Sequence, residues 1–309
     1  MDRGGWWALV LTYEGHLTAA RFTDVRTAEL PAARWPGVPE SGWASSLDRV
    51  AYEAGVEAIR RRIAAGDVYQ ANLCRVLSAP LLPGSDIAGL AVRLAAGNPA
   101  PFGGFVRLPD HGVHVATASP ELFLRRAGRV IESSPIKGTG RTEADLLPKD
   151  EAENIMIVDL VRNDLGRVCV PGSITVPHLM SVEQHPGLVH LVSTVRGELA
   201  AGVGWADVFE ATFPPGSVTG APKSTALRII DSLEPAERGV YCGAIGWVDA
   251  DRGRAELAVG IRTFWVGGDT LHFGTGAGIT WGSDPYGEWA ETELKASRLL
   301  AVAAGEAKA

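Results

Sequence analysis

Cysteine is scarce in this chain. Cys74, Cys169 and Cys242 are the three thiols among 309 residues, and their spacing fits neither a disulfide framework nor a thiolate metal site. Residues 1–14 lack the charged head and apolar core of a signal peptide, so a reducing, cytoplasmic setting is the expectation. No apolar run approaches the ~18 residues that cross a bilayer. No run of Lys or Arg is longer than Arg60-Arg61-Arg62, and the net charge is −7, which argues against a nucleic-acid-binding surface. An anionic ligand would need a local positive site. Internal repeats and low-complexity linkers are also missing.

What is present is ordinary globular composition, 46% hydrophobic and 21% charged, enough for a large core in one big domain or two smaller ones. Residues 1–42 hold a strand or two and an extended connector broken by Pro31, Pro36 and Pro39. Leu47, Val50, Ala51, Ala54, Val56, Ile59 and Ile63 recur mostly at helical spacing and predict a helix over 45–65, ended by Gly66-Asp67. Residues 68–77 alternate as a strand that puts Gln70, Asn72 and Cys74 on one face, toward a cleft or toward solvent at a sheet edge. Further helices are expected at 86–96, 150–166, 205–212, 223–233 and 288–303. Strands are expected at 103–108, 113–118, 121–125, 129–133, 188–195, 240–248, 255–266 and 270–273, with a hairpin over 168–176. Strands and hairpins with few strict β-α-β alternations predict an α+β fold with large antiparallel sheets.

Four features carry potential chemistry. In Ser133-Ser134-Pro135-Ile136-Lys137-Gly138-Thr139-Gly140 a lone lysine stands among small residues, either displayed as a reactive amine or simply solvated. Asp150 with Glu153, and Glu288 with Glu291, are carboxylate pairs at i, i+3 on two predicted helices; converging, they would make a hard-oxygen site, and apart they are solvated faces. Gly216-Ser217-Val218-Thr219-Gly220-Ala221-Pro222-Lys223-Ser224 is no triphosphate loop, because Ala221-Pro222 separates the glycine from the lysine; a glycine-rich turn opening a helix remains. Gly274-Thr275-Gly276-Ala277-Gly278 reads as a turn after a strand or as tight packing.

Taken together, the motifs resemble one family, the chorismate-utilising enzymes. The resemblance is carried in order by Ile63-x-x-Gly66-Asp67-x-Tyr69-Gln70, Ser119-Pro120-Glu121, Pro135-Ile136-Lys137-Gly138-Thr139 and Glu153-Asn154-x-Met156-Ile157-Val158-Asp159-Leu160-x-Arg162-Asn163-Asp164. It continues through His190-Leu191-Val192-Ser193, Gly220-Ala221-Pro222-Lys223, Gly260-Ile261-Arg262-Thr263, Gly276-Ala277-Gly278 and Glu288-x-x-Glu291-Thr292, covering roughly residues 50–303. It implies two large, mainly antiparallel sheets packed between helices. On this reading 45–305 is a chorismate-binding catalytic domain and 1–44 a shortened amino-terminal strand and connector region.

Position by position, the resemblance makes Glu153 and Glu291 ligands of Mg2+, with Glu288 beside them and Asp150 behind. Arg262 and Tyr241 would grip the enolpyruvyl carboxylate. The backbone amides around Gly276 and Gly278, with Ser217, would receive the ring carboxylate; Lys295 and Gln70 are further substrate contacts. His190 would handle proton transfer near the enolpyruvyl group, Glu121 would be the general acid and Lys137 the nucleophile.

Two positions bear on the reaction. Members that add water resemble one another in carrying a lysine base where this chain has Gln70, and an amide is no base at neutral pH. Members of the aminodeoxychorismate synthase branch carry lysine at the position of Lys137, whereas anthranilate-forming members carry a small residue. The implied reaction is amination of chorismate at ring carbon 4, for folate or for another 4-aminobenzoate-derived product. No glycine-flanked cysteine elbow is visible, so ammonia is expected from a glutamine amidotransferase partner. Trp281-Gly282 and Trp289 depart from the family pattern. An anthranilate-type enzyme, or a chorismate-binding protein without activity, stays open as an alternative.

Overall fold

The computed structural model describes residues 1–140, 142–146, 148–185 and 188–305. In chain order the first strands are β1 (Trp6–Leu11), β2 (Leu17–Phe22), β3 (Ala44–Ser45), β4 (Gln70–Pro80), β5 (Phe102–Leu108), β6 (Val113–Ser119), β7 (Leu122–Ala127) and β8 (Val130–Ser134). They are followed by β9 (Ile136–Gly140), β10 (Thr175–His185), β11 (Leu188–Glu198), β12 (Gly220–Ala221), β13 (Ala244–Asp249), β14 (Arg254–Val259), β15 (Thr263–Gly267) and β16 (Thr270–Ile279). The helices are α1 (Arg49–Ala64), α2 (Ile87–Gly97), α3 (Pro148–Gly166), α4 (Trp205–Thr212), α5 (Lys223–Leu233) and α6 (Pro285–Ala304).

Helix ends follow local chemistry. Asp48, Asp86 and Asp284 each accept a backbone N–H of the first turn of α1, α2 and α6, and Pro285 occupies the first turn of α6, where its missing N–H costs nothing. Gly305 ends α6 in the left-handed conformation.

Two sheets form, and the pairings among the described residues are antiparallel. The larger runs β10-β11-β8-β7-β14-β13-β1-β2, with β9 also on β11; the smaller runs β12-β4-β16-β15-β6-β5, with β3 on β4. One face of the larger sheet packs Leu124, Ile131, Val195 and Leu257 against Ile157, Val161 and Leu165 of α3 and Val208 of α4. The smaller sheet packs Ala116, Phe264 and Phe273 against Leu90 and Leu94 of α2 and Leu299 and Val302 of α6. Tyr52, Val56 and Ile59 of α1 and Ile229 of α5 cover Leu73 and Ile279. Val10 and Ile245 of one sheet meet Val115 of the other, so the sheets face each other between outer helices, as the motifs imply.

Four sequence expectations are corrected. Residues 255–266 are not one strand: β14 and β15 belong to different sheets, and the chain crosses between them over 260–262. Residues 168–176 form no hairpin of their own; Cys169 bridges to Leu199, and the partner of β10 is β11. Lys137 lies on a strand, β9, rather than in a turn. Gly274 to Gly278 likewise lie within β16, paired with β4 along their length. Gln70 and Asn72 sit on β4 between β12 and β16, so the solvent-facing edge does not apply. Among the described residues no helix is long and apolar enough to cross a membrane.

Candidate active site

Two of the places where the chain passes from one sheet to the other, between β6 and β7 and between β14 and β15, are neighbours, and these corners build the centre of the site. The Ser119 hydroxyl donates to the Val259 carbonyl (2.7 Å), the Val259 N–H donates to the Glu121 carbonyl (3.0 Å), and the Ala118 N–H donates to the Arg262 carbonyl (3.0 Å). The hydroxyls of Thr117 and Thr263 meet at 2.8 Å. Arg262 takes a left-handed backbone, φ +51°, uncommon for a residue with a β-carbon and costing on the order of 1 kcal/mol. The corners therefore present Glu121 and Arg262 together.

Glu121 is 4% exposed and accepts a hydrogen bond from the Ser217 hydroxyl at 2.5 Å. Burial pushes its carboxyl from 4.5 up to about 7; the Ser217 hydrogen bond, the Lys137 charge, the Ile136 N–H and the Arg262 charge each hold it lower than burial alone would. Near neutrality such a group exchanges its proton readily. Arg262 is itself pushed down by burial, with Glu121 opposing, and among the described residues its guanidinium has no hydrogen-bonded partner. A planar cation of this kind suits a carboxylate.

Lys137 is half-buried, and its strand is held from below by Asn154 of α3. The Asn154 amide donates to the carbonyls of Lys137 and Leu191 (both 3.4 Å), while its oxygen accepts the Ser193 hydroxyl (2.5 Å). One buried amide thus joins β9, β11 and α3. His190 is buried on β11, in register with Thr139 of β9.

The other expected substrate contacts fall on β4, β16 and α6. Lys295 donates to the Gly276 carbonyl (3.0 Å) and pairs with Glu291 (2.6 Å). Because a strand residue's N–H and C=O point the same way, the Gly276 amide also turns away from β4, and Gly278 follows by the two-residue period. The glycines are required by space: a β-carbon at Gly276 would meet Cys74 Sγ at 2.6 Å, and one at Gly274 would meet the Tyr241 ring at 2.0 Å. Tyr241 is buried in the core, with the Cys74 thiol 3.9 Å from its hydroxyl, and no described hydrogen bond joins it to Arg262.

Glu288 is buried on α6, one turn before Glu291. Among the described residues no group of three or more His, Cys, Asp or Glu side chains gathers at metal-binding distance. The donors expected for Mg2+, Glu153 and Glu291, are hard carboxylate oxygens of the type that ion takes in ones and twos, so the residue chemistry fits. The Asp150 side chain lies outside the described residues.

Reading the sequence missed several supports. Arg238, fully buried, donates to Glu234 (2.7 Å), to the Val218 carbonyl (2.9 Å) and to the Asn72 carbonyl (3.3 Å), while Glu234 accepts the Cys74 N–H (2.8 Å). This pair staples the Ser217 segment to β4. The signal was an i, i+4 spacing, hidden because α5 ends at Leu233. Lys223 pairs with Asp164 (2.6 Å), a strut between α5 and α3 and no phosphate ligand. Trp289 packs under Arg75 (4.2 Å) and against Tyr52, whereas Trp281 is exposed.

Comparison with known proteins agrees with this geometry. The chorismate binding enzyme family matches residues 13–301. Anthranilate synthase component 1 of Streptomyces coelicolor is 42% identical over 280 residues, 87% of this chain and 54% of that protein. Aminodeoxychorismate synthase component 1 of Salmonella typhimurium is 37% identical over 313 residues, 95% of this chain and 68% of that protein. The crystal structure of anthranilate synthase component I from Streptococcus pneumoniae superposes with a TM-score of 0.75 at 32% identity, covering 85% of this chain and 60% of that one. The chain thus spans between about half and two thirds of the length of these relatives. Motifs, sheet topology and matches over nearly the whole chain converge: this protein belongs to the chorismate binding enzyme family.

Proposed function

We propose that this chain is a chorismate-aminating enzyme that forms 4-amino-4-deoxychorismate, with Lys137 as nucleophile and Glu121 as acid. The observation that carries the reading is the placement of Lys137 within electrostatic reach of a buried carboxyl whose pKa is about 7. In the proposed sequence the Lys137 amine forms a bond to ring carbon 2, the diene shifts, and the bond from carbon 4 to oxygen breaks. The hydroxyl leaves as water with the Glu121 proton. Ammonia then bonds to carbon 4, the diene shifts back, the lysine departs, and Glu121 takes a proton from the new nitrogen. Two easy displacements replace one hard substitution.

Arg262 supplies the cation for one substrate carboxylate. Glu153 and Glu291 would hold Mg2+, with Glu288 beside them; when bound, the ion balances the charge of the other carboxylate in a water-poor cleft. A glutamine amidotransferase is the proposed ammonia donor. The names of the relatives divide between anthranilate and aminodeoxychorismate synthases, and the second reading, an anthranilate-type amination, leaves Lys137 without a task.

The test is intact-protein mass after incubation with chorismate and Mg2+ without ammonia. The expected result is an adduct of chorismate less one water on the peptide bearing Lys137, discharged by ammonium. Ammonium-dependent turnover with no such adduct at any time overturns the covalent route.

A further inference from the structure

Gln70 and Asn72 project from the same face of β4, two residues apart, and both are buried, at 0% and 8% exposure. Among the described residues, neither polar atom of the Gln70 side chain has a hydrogen-bond partner, nor does Asn72 Oδ1. Asn72 Nδ2 donates to the Ser217 carbonyl at 3.4 Å. Buried amide atoms are almost always paired, so three unpaired ones in one patch point to something that binds there.

The patch has a floor and a direction. Across it lies Gly278, in register with Asn72; a β-carbon there would fall 2.0 Å from Gln70 Nε2 and 3.3 Å from Asn72 Oδ1. The glycine keeps open the space that the two amides share. Arg238 holds the Asn72 carbonyl from behind, so the strand cannot turn the amide away. Ser217, whose carbonyl takes Asn72 Nδ2, gives its hydroxyl to Glu121. The patch is therefore one residue removed from the acid.

Donor and acceptor bookkeeping identifies the occupant. With Nδ2 engaged, Asn72 offers an acceptor and Gln70 Oε1 offers a second, while Gln70 Nε2, a donor, is left for an oxygen of chorismate. Chorismate brings two carboxylates and an ether oxygen, all acceptors, and its one hydroxyl is matched to Glu121 in the proposed reaction. Ammonia brings three N–H donors and a lone pair. Neutral amide oxygens accept those donors without favouring ammonium as a carboxylate would, which keeps the lone pair available. Resting on the amination reading above, we propose that Asn72, together with Gln70, forms the ammonia subsite, with Asn72 the positioning residue that aims the nitrogen.

The experiment is steady-state amination with ammonium chloride as nitrogen source, varying ammonium at saturating chorismate and then the reverse, for wild type, Asn72→Leu and Asn72→Asp. Asn72→Leu is expected to raise half-saturating ammonium about tenfold, the loss of one hydrogen bond, while KM for chorismate stays within about twofold. Asn72→Asp, which keeps an acceptor and nearly the same shape but adds a charge that favours ammonium, is expected to bring half-saturating ammonium below the wild-type value and to lower kcat. Should Asn72→Leu fail to fold, the aspartate variant decides alone. Variants whose ammonium dependence matches wild type, or whose defect appears in KM for chorismate, overturn the subsite and leave the amination reading intact. A wild-type chain with no ammonium-dependent product overturns both.

Discussion

At Glu121 burial and charge pull in opposite directions, and the balance shows in stability as well as in chemistry. Below pH 4.5 folded and unfolded chains both hold this proton. Between 4.5 and about 7 the unfolded chain releases it while the folded chain keeps it, so stability falls as pH rises; above about 7 the loss is complete. At about 1.4 kcal/mol per pH unit the full loss is ~3 kcal/mol. Urea denaturation should therefore find Glu121→Gln equal to wild type near pH 4 and more stable, by up to that amount, at pH 8. The same variant should lose about 10²- to 10⁴-fold in turnover, the usual worth of a general acid. In wild type kcat/KM for chorismate should decline above pH 7 at constant free ammonia. None of this environment was legible in the residues themselves; Ser119-Pro120-Glu121 marked the position only through its likeness to a family, because burial of an acid leaves no trace in spacing or composition.

At the scale of elements, α1, α2, α4, α5 and α6 were readable because apolar residues repeat at helical spacing and acids or glycine mark their ends. The corner at 260–262 was not: Ala255 to Val266 is mostly apolar, with Glu256, Arg262 and Thr263 as its polar residues, and that pattern does not reveal that the second half enters another sheet. The lysine strand was hidden by its glycines, which read as a turn until β11 supplies the pairing partner. The glycines of β16 misled in the same way, since the reason for them is crowding from β4 and Tyr241. That crowding is testable. Gly274→Ala places a carbon 2.0 Å from the Tyr241 ring and should destabilise the chain by ~1–3 kcal/mol, while Gly104→Ala on β5, with nothing within 4 Å, should be neutral or mildly stabilising. Thermal melts of the two variants side by side provide the check.

On the scale of the whole molecule, two sheets are locked face to face, and the residues proposed to act gather where the chain crosses from one to the other. An overall charge of −7 would repel a dianion, so the local cations Lys137 and Arg262 must set the sign of the cleft. The buried Arg238–Glu234 pair fixes the segment carrying Ser217 against β4. Arg238→Met should cost ~3–5 kcal/mol by leaving Glu234 buried without its cation, and Arg238→Met combined with Glu234→Leu should cost less than the single change. Equilibrium unfolding of the single and double variants measures the difference. The sheets and the helices α1 to α6 were visible in sequence; what the sequence withheld were the contacts between distant segments, such as Arg238 to Asn72, which exist only after the sheets close.

The central claim is that Lys137 directs amination to ring carbon 4. It is tested most directly by identifying, by mass spectrometry and chromatography against standards, what the purified chain makes from chorismate, Mg2+ and excess ammonium, with Lys137→Ala alongside. The account expects 4-amino-4-deoxychorismate from wild type and none from the variant. Anthranilate from wild type, or equal 4-amino-4-deoxychorismate from both proteins, would contradict it.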